Sequence, residues 1–143
     1  MDKQYTLFSE FLPEKCTSIL DIGCWLGLQN LNIYEHYNCD NNLIFYLCDK
    51  NQIDNNIHFG YTKNPSFYND FEKTIKIYEN YGINKNNIHI INANINNCLQ
   101  TINTKIDLIV SYISWGFHYP LNFYLKDVFF DFSFIFLFEI NHF

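Results

Sequence analysis

Apolar residues fall in short clusters, and the spacing within each cluster changes along the chain. Tyr5, Phe8, Phe11 and Leu12 recur at helical intervals, which predicts an amphipathic opening helix stopped near Pro13. Residues 18–22 (Ser-Ile-Leu-Asp-Ile) form a short apolar run ended by Gly23 and read as a buried strand. A helix is expected over about 26–37, and a second strand over 43–47, closed by Cys48, Asp49 and Lys50. Phe71, Ile75 and Tyr78 give 67–81 a helical period that stops at Gly82, a residue suited to a left-handed cap. A third strand is expected at 88–91 and a fourth at 106–110, running into Ser111. A further helix at 121–130 and a fifth strand at 132–140 complete the reading.

Strands separated by connections of a dozen or more residues predict a parallel sheet covered by helices, an α/β fold. There is no internal repeat and no Gly/Ser linker, so 1–143 reads as a single domain. In such a fold a ligand sits at the carboxyl ends of the strands. That directs attention to residues 21–27, 49, 92–94 and 111–120.

Composition narrows the function classes. At 143 residues and 48% hydrophobic the chain is apolar enough for a real core. Its formal charge is −6, all nine cations are lysines and arginine is absent. Nucleic acid is thereby disfavoured as a partner, and no polybasic membrane patch exists. Cys16, Cys24, Cys39, Cys48 and Cys98 show no metal or CxxC spacing, and the count is odd, which reads as reduced thiols in a cytoplasmic protein. The start of the chain has no signal-peptide pattern, and the apolar stretch 132–138 is far shorter than the ~20 residues of a membrane span. A soluble protein is expected. His36, His58, His89 and His142 are scattered without metal spacing, so no metal is expected. Glu72, Lys73 and Lys76 read as the solvated face of their helix. Asparagine (21) and isoleucine (19) are abundant while alanine occurs once, so an isolated asparagine carries little information.

The chemistry concentrates after the strands. Gly23 and Gly27, between a strand and a helix, let the backbone turn sharply and approach a ligand closely. Asp49, at the end of the second strand, has the bidentate acceptor that a ribose diol needs. No P-loop pattern occurs, and the dinucleotide fingerprint is interrupted by Trp25. The segment Ser-Ile-Leu-Asp-Ile-Gly-Cys-Trp-Leu-Gly over 18–27 resembles the first motif of class I S-adenosylmethionine-dependent methyltransferases. Asp21, Gly23 and Gly27 match it; Trp25 stands where the second glycine is usual.

The resemblance implies a Rossmann-like parallel sheet with helices on both faces, lacking the last strands of the usual seven-stranded methyltransferase sheet. It implies that the loop with Gly23, Cys24, Trp25 and Gly27 wraps the methionine end of S-adenosylmethionine, that Asp21 anchors the local hydrogen-bond network of that cofactor site, and that Asp49 holds its ribose. Asn94 would meet the adenine, and Ser111 would line the site after a fourth strand similar to the family's. The family also places the methyl acceptor after that strand. There His118 has a suitable pKa for a general base toward a hydroxyl acceptor. Trp115, Phe117 and Tyr119 would form an aromatic floor for a small-molecule or sugar-like substrate.

Seven of the fifteen phenylalanines lie between Phe129 and Phe143. Alternation of phenylalanine with Asp131, Ser133, Ile135 and Leu137 reads as a strand buried on both faces. If the sheet ends there, the uncovered edge favours pairing or aggregation: either a second copy of the chain or another partner covers it, or the chain is a truncated or degraded copy of a longer enzyme. Two further readings share the fold: a catalytically inactive, truncated methyltransferase-like module for nucleotide binding or interaction, and an oxidoreductase that binds a dinucleotide.

Overall fold

The computed structural model describes residues 3–53, 69–112, 124 and 135–137. Helix α1 (Lys3–Phe8) tightens into a 3-10 turn (Ser9–Phe11), followed by strand β1 (Ser18–Ile22) and helix α2 (Leu28–His36). Strand β2 (Ile44–Asp49), helix α3 (Phe71–Asn80) and strand β3 (Ile88–Asn92) come next. After a 3-10 turn (Cys98–Thr101) the chain enters β4 (Leu108–Ser111), and β5 (Ile135–Leu137) is the last described element. The sheet order is β3-β2-β1-β4-β5, with every pairing parallel.

From β1 the chain steps outward to β2 and β3, then returns to the other side of β1 as β4. The switch of direction lies between β1 and β4, whose carboxyl ends open the crevice where α/β sheets hold ligands. The protein is thus an α/β protein with an all-parallel sheet, compatible with a Rossmann-like fold.

Alternating strand residues supply two cores, which is why the strands read as nearly continuous apolar runs. Ile19, Phe45, Leu47, Leu108 and Val110 pack with Phe8 of α1, Leu31 and Ile33 of α2, and Phe71 and Tyr78 of α3. Leu20, Ile22, Tyr46, Cys48 and Ile109 face the other way, against Leu99, Ile106 and Tyr124. Among the described residues, the second face is covered by the Cys98–Thr101 turn and by Tyr124, which is helical and buried.

Local chemistry moves several boundaries from their expected places. α3 starts at Phe71, not at 67, because the Asp70 side chain caps it, accepting from the Glu72 and Lys73 N–H groups. Gly27, left-handed at φ 64°, delays the start of α2 to Leu28. β2 runs on to Asp49 because β3 pairs with it there, Asp49 opposite Asn92. β4 is shifted to Leu108–Ser111 by its pairing with β1, Ile19 opposite Leu108, and with β5, Ser111 opposite Leu137. The opening helix is interrupted as well. Phe8 is buried, but Phe11, at the end of the 3-10 turn, is 55% exposed.

Glu72, Lys73 and Lys76 are exposed on α3. Of the helix expected at 121–130 only Tyr124 is described, and of the strand at 132–140 only Ile135–Leu137. No helix among the described residues is long and apolar enough to cross a membrane.

Candidate functional site

The loop after β1 folds by placing every second residue in the left-handed region: Gly23 at φ 74°, Trp25 at 48° and Gly27 at 64°. Gly23 and Cys24 N–H both donate to the Cys48 carbonyl, at 2.7 and 3.2 Å, which lays the loop across the end of β2. The next amide, Trp25 N–H, donates to Asp49 Oδ2 at 2.7 Å. The left-handed conformation costs a non-glycine residue ~1–2 kcal/mol. A charge-assisted bond to a carboxylate is of the size needed to offset it. Trp25 therefore takes a glycine-like backbone geometry, and the residue is 44% exposed.

Asp49 is half-buried at the strand end. Its Oδ1 accepts from Lys50 N–H at 2.7 Å, and its backbone carbonyl accepts from Ala93 N–H at 2.8 Å. Burial pushes the Asp49 carboxyl up from its ordinary range, while the Trp25 and Lys50 amides and the Lys50 charge pull it back. The Ala93 bond draws the turn after β3 beside the β1 loop. Asn94 lies in that turn, exposed, its N–H held by Asn92 Oδ1 at 2.9 Å.

Beneath the loop lies a buried polar network. Asp21, 1% exposed, accepts from Asn30 Nδ2 at 2.8 Å through Oδ2, and its Oδ1 has no hydrogen-bond partner. Asn30 Nδ2 also donates to Tyr78 Oη at 3.0 Å, and the Tyr78 hydroxyl donates to the Gly27 carbonyl at 2.9 Å. Burial pushes the Asp21 carboxyl up to about 7, opposed by the Asn30 bond and reinforced by the nearby Asp49 charge. Tyr78 is held far above its ordinary range by burial and by the Asp21 charge.

Cys24 is buried, with Sγ 3.5 Å from the Trp25 carbonyl, and burial raises its thiol well above the ordinary range, so it is no thiolate nucleophile. Ser111 is buried too. Its hydroxyl donates to the Ile22 carbonyl at 2.7 Å and ties the ends of β1 and β4 together.

Asp21, Gly23, Cys24, Trp25, Gly27, Asp49, Asn94 and Ser111 thus gather at one sheet edge. Trp115, Phe117, His118 and Tyr119 lie outside the described residues. Sequence reasoning missed Asn30 as a site residue, since one asparagine among 21 carries no signal, and took Tyr78 only as a helix-period residue. Among the described residues no cluster of His, Cys, Asp and Glu is placed to hold a metal ion, and all five cysteines are free.

The arrangement suits a ligand that offers hydroxyls to a carboxylate and accepts close approach by a backbone loop. A scan against protein-family models and a search of the curated proteins find no match for the chain.

Proposed function

We propose that the chain binds S-adenosylmethionine at the carboxyl edge of its sheet and transfers the methyl group to a small-molecule acceptor, such as a sugar hydroxyl. The observation that carries this reading is Asp49. Each of its oxygens holds one backbone N–H, and a carboxylate oxygen has two acceptor sites, so capacity for two ligand hydroxyls remains. The residue is half-buried, which strengthens such bonds while leaving them reachable. The left-handed loop Gly23–Trp25–Gly27 fits the methionine end, and Asn94, exposed beside Asp49, fits the base.

When bound, S-adenosylmethionine supplies an electrophilic methyl group. The chain's own contribution is to align and desolvate the two reactants. Asp49 and the β1 loop fix the donor. Trp115, Phe117 and Tyr119 are assigned to the acceptor from the sequence, and His118 to removal of the acceptor's hydroxyl proton.

Calorimetric titration with S-adenosylmethionine and, separately, with NAD tests the reading. Micromolar binding of the first alone is expected, and Asp49→Ala should weaken it by ~1.5–3 kcal/mol. Binding of NAD alone would transfer the site to the oxidoreductase class. Binding of S-adenosylmethionine without turnover on any acceptor would leave a non-catalytic module, and binding of neither ligand would overturn the proposal.

A further inference from the structure

Two buried residues meet the loop from beneath. Asn30, on the first turn of α2, and Tyr78, near the end of α3, are each 0% exposed, so neither touches a ligand held on the open side. They are nevertheless joined in one direction of donation. Asn30 has two amide hydrogens, one on Asp21 Oδ2 and the other on Tyr78 Oη. With its acceptor role filled, the Tyr78 hydroxyl gives its own hydrogen to the Gly27 carbonyl. Gly27 is both the last left-handed residue of the loop and the N-cap of α2, so the direction of its carbonyl sets the peptide that joins loop to helix. The contact is close: a Cβ on Gly27 would stand 2.4 Å from Tyr78 Oη.

We propose that Tyr78 and Asn30 are positioning residues for the ligand loop, transmitting the charge state of Asp21 to the Gly27 carbonyl. An ionised Asp21 accepts only, which obliges Asn30 to present its NH2 group and sends donation onward to Gly27. A neutral Asp21 supplies an O–H, and the Asn30 amide is then free to turn its carbonyl toward it. Tyr78 acquires a second acceptor in that carbonyl and no longer has to hold Gly27. Both Asp21 Oδ1 and Asn30 Oδ1 are buried without a partner, so the network as it stands has acceptor capacity waiting for one more donor.

The titratable groups around Asp21 are Asp49 from the end of β2, Cys24 from the loop and Tyr78 from α3, with Tyr112 after β4 acting on Tyr78. Of these, burial keeps Cys24 and Tyr78 neutral at neutral pH, and Asp49 works against ionisation of Asp21. The inference rests on the cofactor reading above for its ligand, but not for the network.

Two measurements on the full chain test it, at pH 6, 7 and 8. Calorimetry with S-adenosylmethionine reads affinity, and amide NMR of the ligand-free chain reads Gly27 and Leu28, which flank the peptide in question. For the wild type, affinity about tenfold weaker at pH 6 than at pH 8 is expected, with the two amide signals shifting over the same range. Tyr78→Phe keeps the ring that packs edge-on against Phe45 at 5.3 Å and removes only the hydroxyl. It should bind about tenfold more weakly at pH 8 and lose the pH dependence in both measurements.

Wild-type affinity with an unchanged pH profile in Tyr78→Phe overturns the proposal, as does a wild type whose Gly27 and Leu28 signals do not titrate. Should the wild type not bind S-adenosylmethionine, the cofactor reading fails alone. The NMR titration then decides: its loss in Tyr78→Phe supports the network, and its persistence sinks it. If Tyr78→Phe does not fold, Asn30→Leu, which cuts the link from Asp21 while leaving the tyrosine, is judged by the same loss of titration.

Discussion

Asp21 is the residue on which burial and function pull in opposite directions. Its carboxyl is pushed from 3.8 to about 7, so the folded chain keeps a proton there that the unfolded chain has already lost. Between those two values the native state binds more protons, and the Asp21 contribution to stability falls as pH rises from about 4 to 7. Above that range the ionised carboxylate remains buried with one oxygen unpaired. Asp21→Asn is therefore expected to gain roughly 2–4 kcal/mol relative to wild type between pH 5 and pH 8. Thermal unfolding at both pH values checks it; identical pH slopes in the two proteins would show that Asp21 is not the group responsible. Asp21 was legible in the sequence as a candidate site residue because it stands at the end of the first apolar run, in a segment that resembles the methyltransferase motif. Its partner was not, because nothing local marks Asn30, which acquires its role only when α2 lies back on β1.

At the scale of elements, the loop from Gly23 to Gly27 and the cap at Gly82 make a useful contrast. Both Gly27 and Gly82 are left-handed, at φ 64° and 87°, so an alanine is strained at either. At Gly82 a Cβ would meet nothing within 4 Å, whereas at Gly27 it would run into the Tyr78 hydroxyl. Gly82→Ala should cost ~1–2 kcal/mol from the backbone alone, and Gly27→Ala a further ~1–3 kcal/mol from the displaced, buried tyrosine. Urea denaturation of the two variants gives the comparison, and equal losses would remove the Tyr78 contact from the energetics. Both helices were expected from the sequence, α3 from its apolar period and α2 only as the segment following the first strand. Their first residues were not, because a side-chain cap at Asp70 and a left-handed glycine override periodicity within one turn.

For the whole molecule, β1 is the keystone. It is flanked by β2 and β4, every residue in it is buried, and both cores draw on it. Amide exchange should be slowest in β1 and β2, whose backbone groups are paired on both sides, and faster in β3, where Ile88–Asn92 pairs only with β2 among the described strands. Exchange as slow in β3 as in β1 would contradict this ordering.

The apolar runs and their spacing were enough to determine an α/β chain with strands in parallel, because burial on two faces demands near-continuous apolar sequence and the long connections forbid hairpins. They also determined that Asp21, Gly23, Gly27 and Asp49 stand at strand ends. Only the tertiary structure decided how those ends meet: that Trp25 takes a glycine's conformation and donates to Asp49, that Ser111 turns to the Ile22 carbonyl, and that Tyr78 holds Gly27. The reason is physical. These are hydrogen bonds between residues 24, 89 and 51 positions apart, and their geometry is set by the packing of elements that no local pattern encodes.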